Sequence, residues 1–461
     1  MSVRNKDSLV QPQDNTSPHQ EPKKSRRDYP GRSTVERRAW IFMGLAHLTL
    51  FKDWLRGGLF ALIELVFLAT LPLSIKKIAD MVTLGGATCP GGVEDCPAYD
   101  RTNGGYMLMD GVLVILLLII FGFLYWISVR SAVKTGAAHQ AGKIESPKAI
   151  LNRAFPTISL APAILLIVFF LVAPLLFAVL VAFTNYSDPN HIPPNRPINW
   201  SGMDNFAAMF TGSGWEEALG RVFLWTIIWA FISTLTCYFG GMLMAVILRE
   251  ANFKITPVFR AIFIIPYAIP GVVSLLVWRN LLNGAFGTVN RTLWALGIVE
   301  PGTVIPWLSD VWLAKFMCVL INLWVGFPYF MLLTTGAMTS ISGDVLEAAR
   351  IDGASGPKVF RYVTLPLVLY QTAPLMILSF ASNLNNFGAI FFLTGGSPAV
   401  ADTPTTTAGG TDIMISWIYK MSINLMQYGK ASVLAIMIFM ILAPFAIFNF
   451  RRTKSFKEGE L

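Results

Sequence analysis

Charge is scarce in this sequence, and its scarcity excludes most soluble folds. Charged residues make up 14% of the 461 positions, where a soluble domain carries about 25%. The formal charge of +9 is spread along the chain and is no nucleic-acid signal. Histidine and cysteine are rare too, four of each. His19, His47, His139 and His191 lie far apart, and none is spaced with another as a metal pair. Cys237 and Cys318 fall inside apolar runs, where a thiol acts as a small hydrophobe. Cys89 and Cys96 share one short loop, where a local disulfide fits if the loop is extracytoplasmic. No metal site is expected there, since no further Cys or His is near. A nucleotide loop is also missing. The stretch from Gly136 to Ile144 resembles one, but its glycines are one residue too far apart. Ile144 also follows Lys143 where Ser or Thr should hold the metal. Any ATP this chain depends on must be bound by another subunit.

What the sequence has in excess is apolar length. Hydrophobic residues reach 54% and gather in recurrent long runs, each sufficient to cross a bilayer core of about 30 Å. Lipid offers the backbone no hydrogen bonds, so the spans must be helices. The expected fold is an all-α polytopic membrane protein with about eight transmembrane helices: 57–76, 107–129, 157–183, 222–248, 256–281, 311–338, 367–393 and 431–450. Residues 1–39 are polar and read as a disordered cytoplasmic tail. Residues 40–56 mix apolar residues with Lys52, Asp53 and Arg56 and are expected to lie at the inner interface. Most of the 36 Lys and Arg fall in segments or span ends that this scheme places inside, with both termini cytoplasmic. The outer loop from Asn185 to Gly220 carries Trp200, Met203, Phe206, Phe210 and Trp215. They form either an interfacial aromatic belt or a docking surface for an outside partner.

Between the sixth and seventh spans lies a polar island, residues 344–366. Asp344 is expected to cap a short helix, with Glu347 closing a capping box. Gly353 should end it through a positive φ. Ser355 is placed to cap a second helix with Pro357 in its first turn. Pro366 is expected to break the chain before it re-enters the apolar phase.

Ionisable groups within the spans are few. Glu64 and Asp110 stand out, either paired locally or as carriers of protons. Neutral polar groups are better placed. Ser379, Ser382, Asn383 and Asn386 recur on one helical face of span seven. They would either bond neighbouring helices or face a watery path and meet hydroxyls. Pro266, Tyr267, Pro270 and Gly271 in span five, and Gly326, Pro328 and Tyr329 in span six, permit kinks beside a cavity. Aromatic faces and amides together are what a sugar needs.

The island carries a family resemblance. Glu347-Ala348-Ala349, then Gly353, then Val363, Leu365 and Pro366 follow the spacing of the EAA loop of ABC-importer permeases, with Val363 where Ile is commoner. Across roughly 157–450 the chain resembles the larger, MalF-like permease of a maltose/maltodextrin-type importer, a binding-protein-dependent inner membrane component. The resemblance implies a type I ABC importer permease fold in the cell membrane. It divides the chain into 1–56 (tail and interfacial segment), 57–156 (two extra N-terminal helices) and 157–461 (the importer transmembrane domain). It implies that Tyr267, Gly271, Val325, Gly326, Tyr329, Ser379, Ser382, Asn383 and Asn386 line a sugar site. Gly271 stands where the maltose permease has Ser, and Ser382 where it has an aromatic. It implies that Glu347, Ala348, Ala349, Asp352, Gly353, Ala354, Leu365 and Pro366 couple to an ATPase. The implied partners are a second, MalG-like permease, two cytoplasmic ATPase subunits that bind ATP and Mg, an extracytoplasmic solute-binding protein, a sugar and the lipid bilayer. No cofactor, metal or nucleic acid is expected for this chain, and no covalent chemistry. Transport would proceed by alternating access. The alternative is an ion-coupled secondary sugar transporter, against which the lack of an internal repeat weighs.

Overall fold

The computed structural model describes residues 31–84, 103–141, 147–192, 196–250 and 255–452. The Cys89/Cys96 loop, the tail before residue 31 and residues 142–146 lie outside these. Among the described residues the regular secondary structure is helical, apart from one isolated bridge between Thr184 and Trp200. In chain order the helices are α1 (Arg32–Ile41), α2 (Trp54–Thr83), α3 (Gly104–Gln140), α4 (Pro147–Ile167), α5 (Ala173–Val181) and α6 (Asp204–Thr211). There follow α7 (Trp215–Glu250), α8 (Thr256–Ala268), α9 (Gly271–Leu281), α10 (Thr288–Ala295), α11 (Val311–Thr339) and α12 (Gly343–Ile351). The last are α13 (Gly356–Val359), α14 (Leu365–Leu384), α15 (Phe387–Leu393), α16 (Thr403–Thr406), α17 (Met414–Ile423) and α18 (Tyr428–Arg452). Wider π turns occupy His47–Phe51, Val168–Val172 and Phe360–Thr364.

Among the described residues, six helical stretches are long and apolar enough to span a membrane: α2, α3, Phe155–Val181, α7 up to Arg249, α11 and Gly356–Leu384. The expected span 256–281 is α8 and α9, bent by 91° at Ile269 and Pro270. Pro270 has no N–H to continue the helix, so the bend follows from the sequence. The last expected span falls on α18, whose apolar part is shorter, Tyr428–Pro444.

The chain forms two compact units. The first takes its described residues from 31–76 and 113–168. Residues 32–39, expected within a disordered tail, are helical here as most of α1. The reason is a short apolar stripe inside a basic sequence. Val35 and Ala39 bury against Ala46, Val129 and Ala132, with Leu50, Phe51 and Tyr125 around them. Tyr125 also donates its hydroxyl to the Trp40 carbonyl at 2.9 Å. Glu64, a candidate proton carrier, is buried and accepts a hydrogen bond from the Met43 N–H.

The second unit is built around α7 and α11. A Cβ on Gly241 would lie 2.6 Å from the Phe327 carbonyl and the Met331 nitrogen. A Cβ on Gly326 would lie 2.8 Å from the Cys237 Sγ. Small residues thus let two helices meet backbone to backbone, where lipid supplies no hydrophobic drive between them. Asp310 caps α11, its carboxylate accepting the Leu313 N–H at 2.8 Å. Asp110, the other candidate carboxylate, pairs with Lys77 at 2.5 Å. Around α17 the chain is pinned by charge. Asp412 is fully buried and takes Lys420 at 2.6 Å, Ser416 at 2.7 Å and the Gly409 N–H at 2.7 Å. Arg221 reaches Asp402 and the Gly409 carbonyl, each at 2.7 Å. The loop aromatics divide. Trp215 stacks on Trp417 at 6.1 Å and Phe206 packs on Phe183 at 5.4 Å. Trp200, Met203 and Phe210 remain exposed.

Candidate functional site

Two groups of expected site residues come together, on different elements of the second unit. The first is a ring pair. Tyr267 on α8 and Tyr329 on α11 stand with centroids 6.2 Å apart and planes inclined by 35°. Both are exposed. Gly271 opens α9 just past the bend, with free space around its Cα. Below it Ser274 is buried and its hydroxyl has no partner. A second aromatic pair, Trp278 and Trp324, meets edge to face at 5.5 Å.

The second is an amide group. The Asn383 Nδ2 donates to Thr234 Oγ1 at 3.1 Å, and the Asn383 backbone carbonyl accepts the Trp229 indole N–H at 3.1 Å. The Asn386 Nδ2 lies 3.4 Å from both Asn322 Oδ1 and Asn383 Oδ1. Asn383 is buried, while Asn386 and Asn322 are half-buried. Ser382 is exposed and Ser379 half-buried. The expected single face does not hold as far as Asn386. Helix α14 ends at Leu384, and the Asn386 side chain accepts the Ala389 N–H at 3.2 Å to cap α15. An Asn side chain competes for backbone donors in this way. Val325 is half-buried, and Gly326 faces Cys237 on α7.

Sequence reasoning missed Asn322, Thr234 and Trp229. Asn322 carried a signal, being a lone amide in an apolar run four residues before Gly326. Thr234 and Trp229 carried none, since only the fold turns them toward α14. The arrangement offers amide donors and acceptors at a helix break and flat aromatic faces at a helix bend.

The polar island forms a knob. Ser342, not Asp344, is the N-cap of α12, its hydroxyl accepting the Asp344 N–H at 3.3 Å. Gly353 has φ +81°. The Ala354 N–H bonds the Ala349 carbonyl and the Gly353 N–H bonds the Arg350 carbonyl, both at 3.0 Å. That pair of bonds is a Schellman motif. Asp352 is the C-cap, and Ser355 precedes α13 without a side-chain cap bond. Pro366 does not break the chain as expected. The helix runs on from Gly356 to Leu384. The π turn Phe360–Thr364 sends the Leu365 N–H back to the Phe360 carbonyl, so the ring fits where an α-turn would clash. Glu347, Ala348 and Pro366 are exposed, and Ala349, Ala354 and Leu365 are half-buried. Ile351 is 79% exposed at the end of α12.

A family model described as "Binding-protein-dependent transport system inner membrane component" matches residues 237–452. That span contains the knob, the bend and the amide group. The galactooligosaccharides transport system permease protein GanP of Bacillus subtilis is 33% identical over 419 residues, 88% of this chain and 94% of that protein. The chain belongs to this family.

The permease is also 33% identical to the maltodextrin transport system permease protein MdxF of Bacillus subtilis, over 88% of this chain and 90% of that one. Its fold matches a chain of a bacterial ABC transporter involved in the import of the acidic polysaccharide alginate. The TM-score is 0.53 at 20% identity, over 66% of this chain and 98% of that one. The resemblance to the permeases of binding-protein-dependent sugar importers is thereby borne out. The permease is the membrane subunit of an ABC importer, without an ATPase site of its own. The ion-coupled alternative gains no support.

Proposed function

We propose that the permease carries a neutral oligosaccharide of the maltodextrin or galactooligosaccharide kind across the cell membrane by alternating access. The observation that carries this reading is the amide group of Asn322, Asn383 and Asn386, in one chain with the exposed Tyr267–Tyr329 pair. Amides pair with sugar hydroxyls, and tyrosine faces cover the C–H surface of a sugar ring. Among the described residues the amide group holds no charged side chain, which suits an uncharged ligand. Two relatives at equal identity transport different sugars by name, so the linkage and length follow from an assay.

The same reading assigns 157–461 as the transporting domain, 57–156 as two added helices and 1–56 as a cytoplasmic tail with an interfacial segment. Both termini are inside. A second permease, two ATPase subunits and an extracytoplasmic binding protein complete the complex, and the ATPases hold the ATP and Mg. The knob docks on an ATPase subunit through Glu347 and the apolar end at Ile351. ATP-driven closure then rocks the helix that runs on from it. Uptake of labelled maltooligosaccharides, galactooligosaccharides and an anionic alginate oligosaccharide into liposomes holding the whole complex tests this. At least one neutral series should enter, with the anionic sugar excluded. Uptake of the anionic sugar alone would overturn the reading.

A further inference from the structure

We infer that the N-terminal hook of the first unit holds the phosphate of an anionic lipid headgroup. A cavity of about 500 Å³ opens between α1 and the π turn at His47–Phe51. Its polar side is Thr34, Arg37, Arg38 and Thr49, and Ile41 and Leu45 give it an apolar side. The Arg38 Nη1 donates to Thr49 Oγ1 at 3.1 Å, which holds one guanidinium at the wall. The carboxylates nearest in sequence are engaged elsewhere, Glu36 with Arg32 at 2.8 Å and Asp53 with Arg56 at 3.0 Å. Among the described residues no carboxylate forms an ion pair with Arg37 or Arg38. The Thr49 hydroxyl donates to the Leu45 carbonyl at 2.7 Å and serves to hold Arg38. Two guanidinium groups and the Thr34 hydroxyl form a donor set that matches a phosphate, and planar guanidinium binds it at two points.

The surroundings favour a lipid over a free anion. Trp40 is 60% exposed and Trp54 73%, the first just past the arginines and the second where the first span begins. Exposed tryptophans at a span end mark the headgroup layer. A dissolved phosphate would use the arginines and leave Ile41 and Leu45 uncovered. A lipid brings phosphate to the one side and its glycerol and upper acyl carbons to the other. Basic pockets beside spans are suited to such headgroups.

The test is native mass spectrometry of the assembled complex, released from nanodiscs of phosphatidylcholine with a minority of phosphatidylglycerol. Wild type should retain phosphatidylglycerol selectively. Arg37→Gln with Arg38→Gln should lower that retention about tenfold or more, and Arg37→Lys with Arg38→Lys by less. Arg37→Gln alone leaves the Arg38–Thr49 bond intact. It should lower retention at least about threefold, and keeps the test alive if the double variant fails to assemble. Millimolar inorganic phosphate should not displace the lipid. Equal retention in wild type and both Gln variants would overturn the inference. So would retention of inorganic phosphate without selectivity for phosphatidylglycerol.

Discussion

Single residues carry two testable consequences. Asn383 is buried with its amide on Thr234, so Asn383→Ala removes the donor to Thr234 Oγ1, which keeps its own bond to the Ala230 carbonyl at 2.7 Å. Under the proposed function it also removes a group offered to the sugar. Each loss costs about 1–3 kcal/mol. Asn386→Ala additionally removes the cap of α15, worth about 1 kcal/mol. Sugar uptake should fall in both variants while co-purification with the ATPase persists. Normal uptake by whatever complex assembles would make the asparagines helix contacts only. His47 gives a pH dependence. It is buried beside Phe51 and Phe60, its ring nitrogens have no partner, and burial lowers its pKa from 6.5 to about 4. Between those values the unfolded segment binds a proton that the folded one refuses. Stability here is therefore full above about pH 6.5 and is lost as pH falls toward 4. Hydrogen exchange over residues 44–51, corrected for intrinsic rates, should show more opening at about pH 5 than at about pH 7.5, and His47→Leu should flatten the difference. Equal protection at both pH values in wild type would contradict this.

Elements show what was legible and what was not. The knob was readable because its rules are local: Gly353 must turn through positive φ, and its cap bonds lie within six residues. The N-cap was misread by two residues because Ser342 and Asp344 are both good caps, and only the backbone chooses. Pro366 reads as a break, yet a π turn absorbs it, and nothing in the sequence marks a π turn. The stripe on α1 was hidden, since Val35 and Ala39 are two small residues among arginines. Of the candidate site, Tyr267 and Tyr329 were visible as aromatics beside prolines. The break at Asn385 was not, because Ser379, Ser382, Asn383 and Asn386 read as one polar face of a continuous helix. The knob makes its own prediction. Gly353 has open space around it, so Gly353→Asp is resisted by backbone strain alone, about 1 kcal/mol or more. With Glu347→Lys, it should leave membrane expression intact but weaken ATPase co-purification or uncouple hydrolysis from uptake. Substitutions at exposed Ser355 or Lys358 should stay within about 0.5 kcal/mol and be milder. Wild-type docking and uptake in both motif variants would count against the coupling role.

At the scale of the whole molecule the account is a division of labour. Helices α7 and α11 form a glycine-closed seam, the bend and the helix break place aromatic and amide groups in the same unit, and the helix that runs on from the knob carries Asn383. Glu64 and Asp110, the carboxylates a proton-coupled carrier would need, are bound to Met43 and Lys77. Under the proposed function, energy comes through the knob. The most direct measurement is sugar uptake into liposomes containing the purified complex and its binding protein, with ATP enclosed at the knob side and no ion gradient. The account predicts uptake that requires ATP and stops when the ATPase subunits are omitted. Uptake driven by a proton or sodium gradient, with no ATPase present, would contradict it.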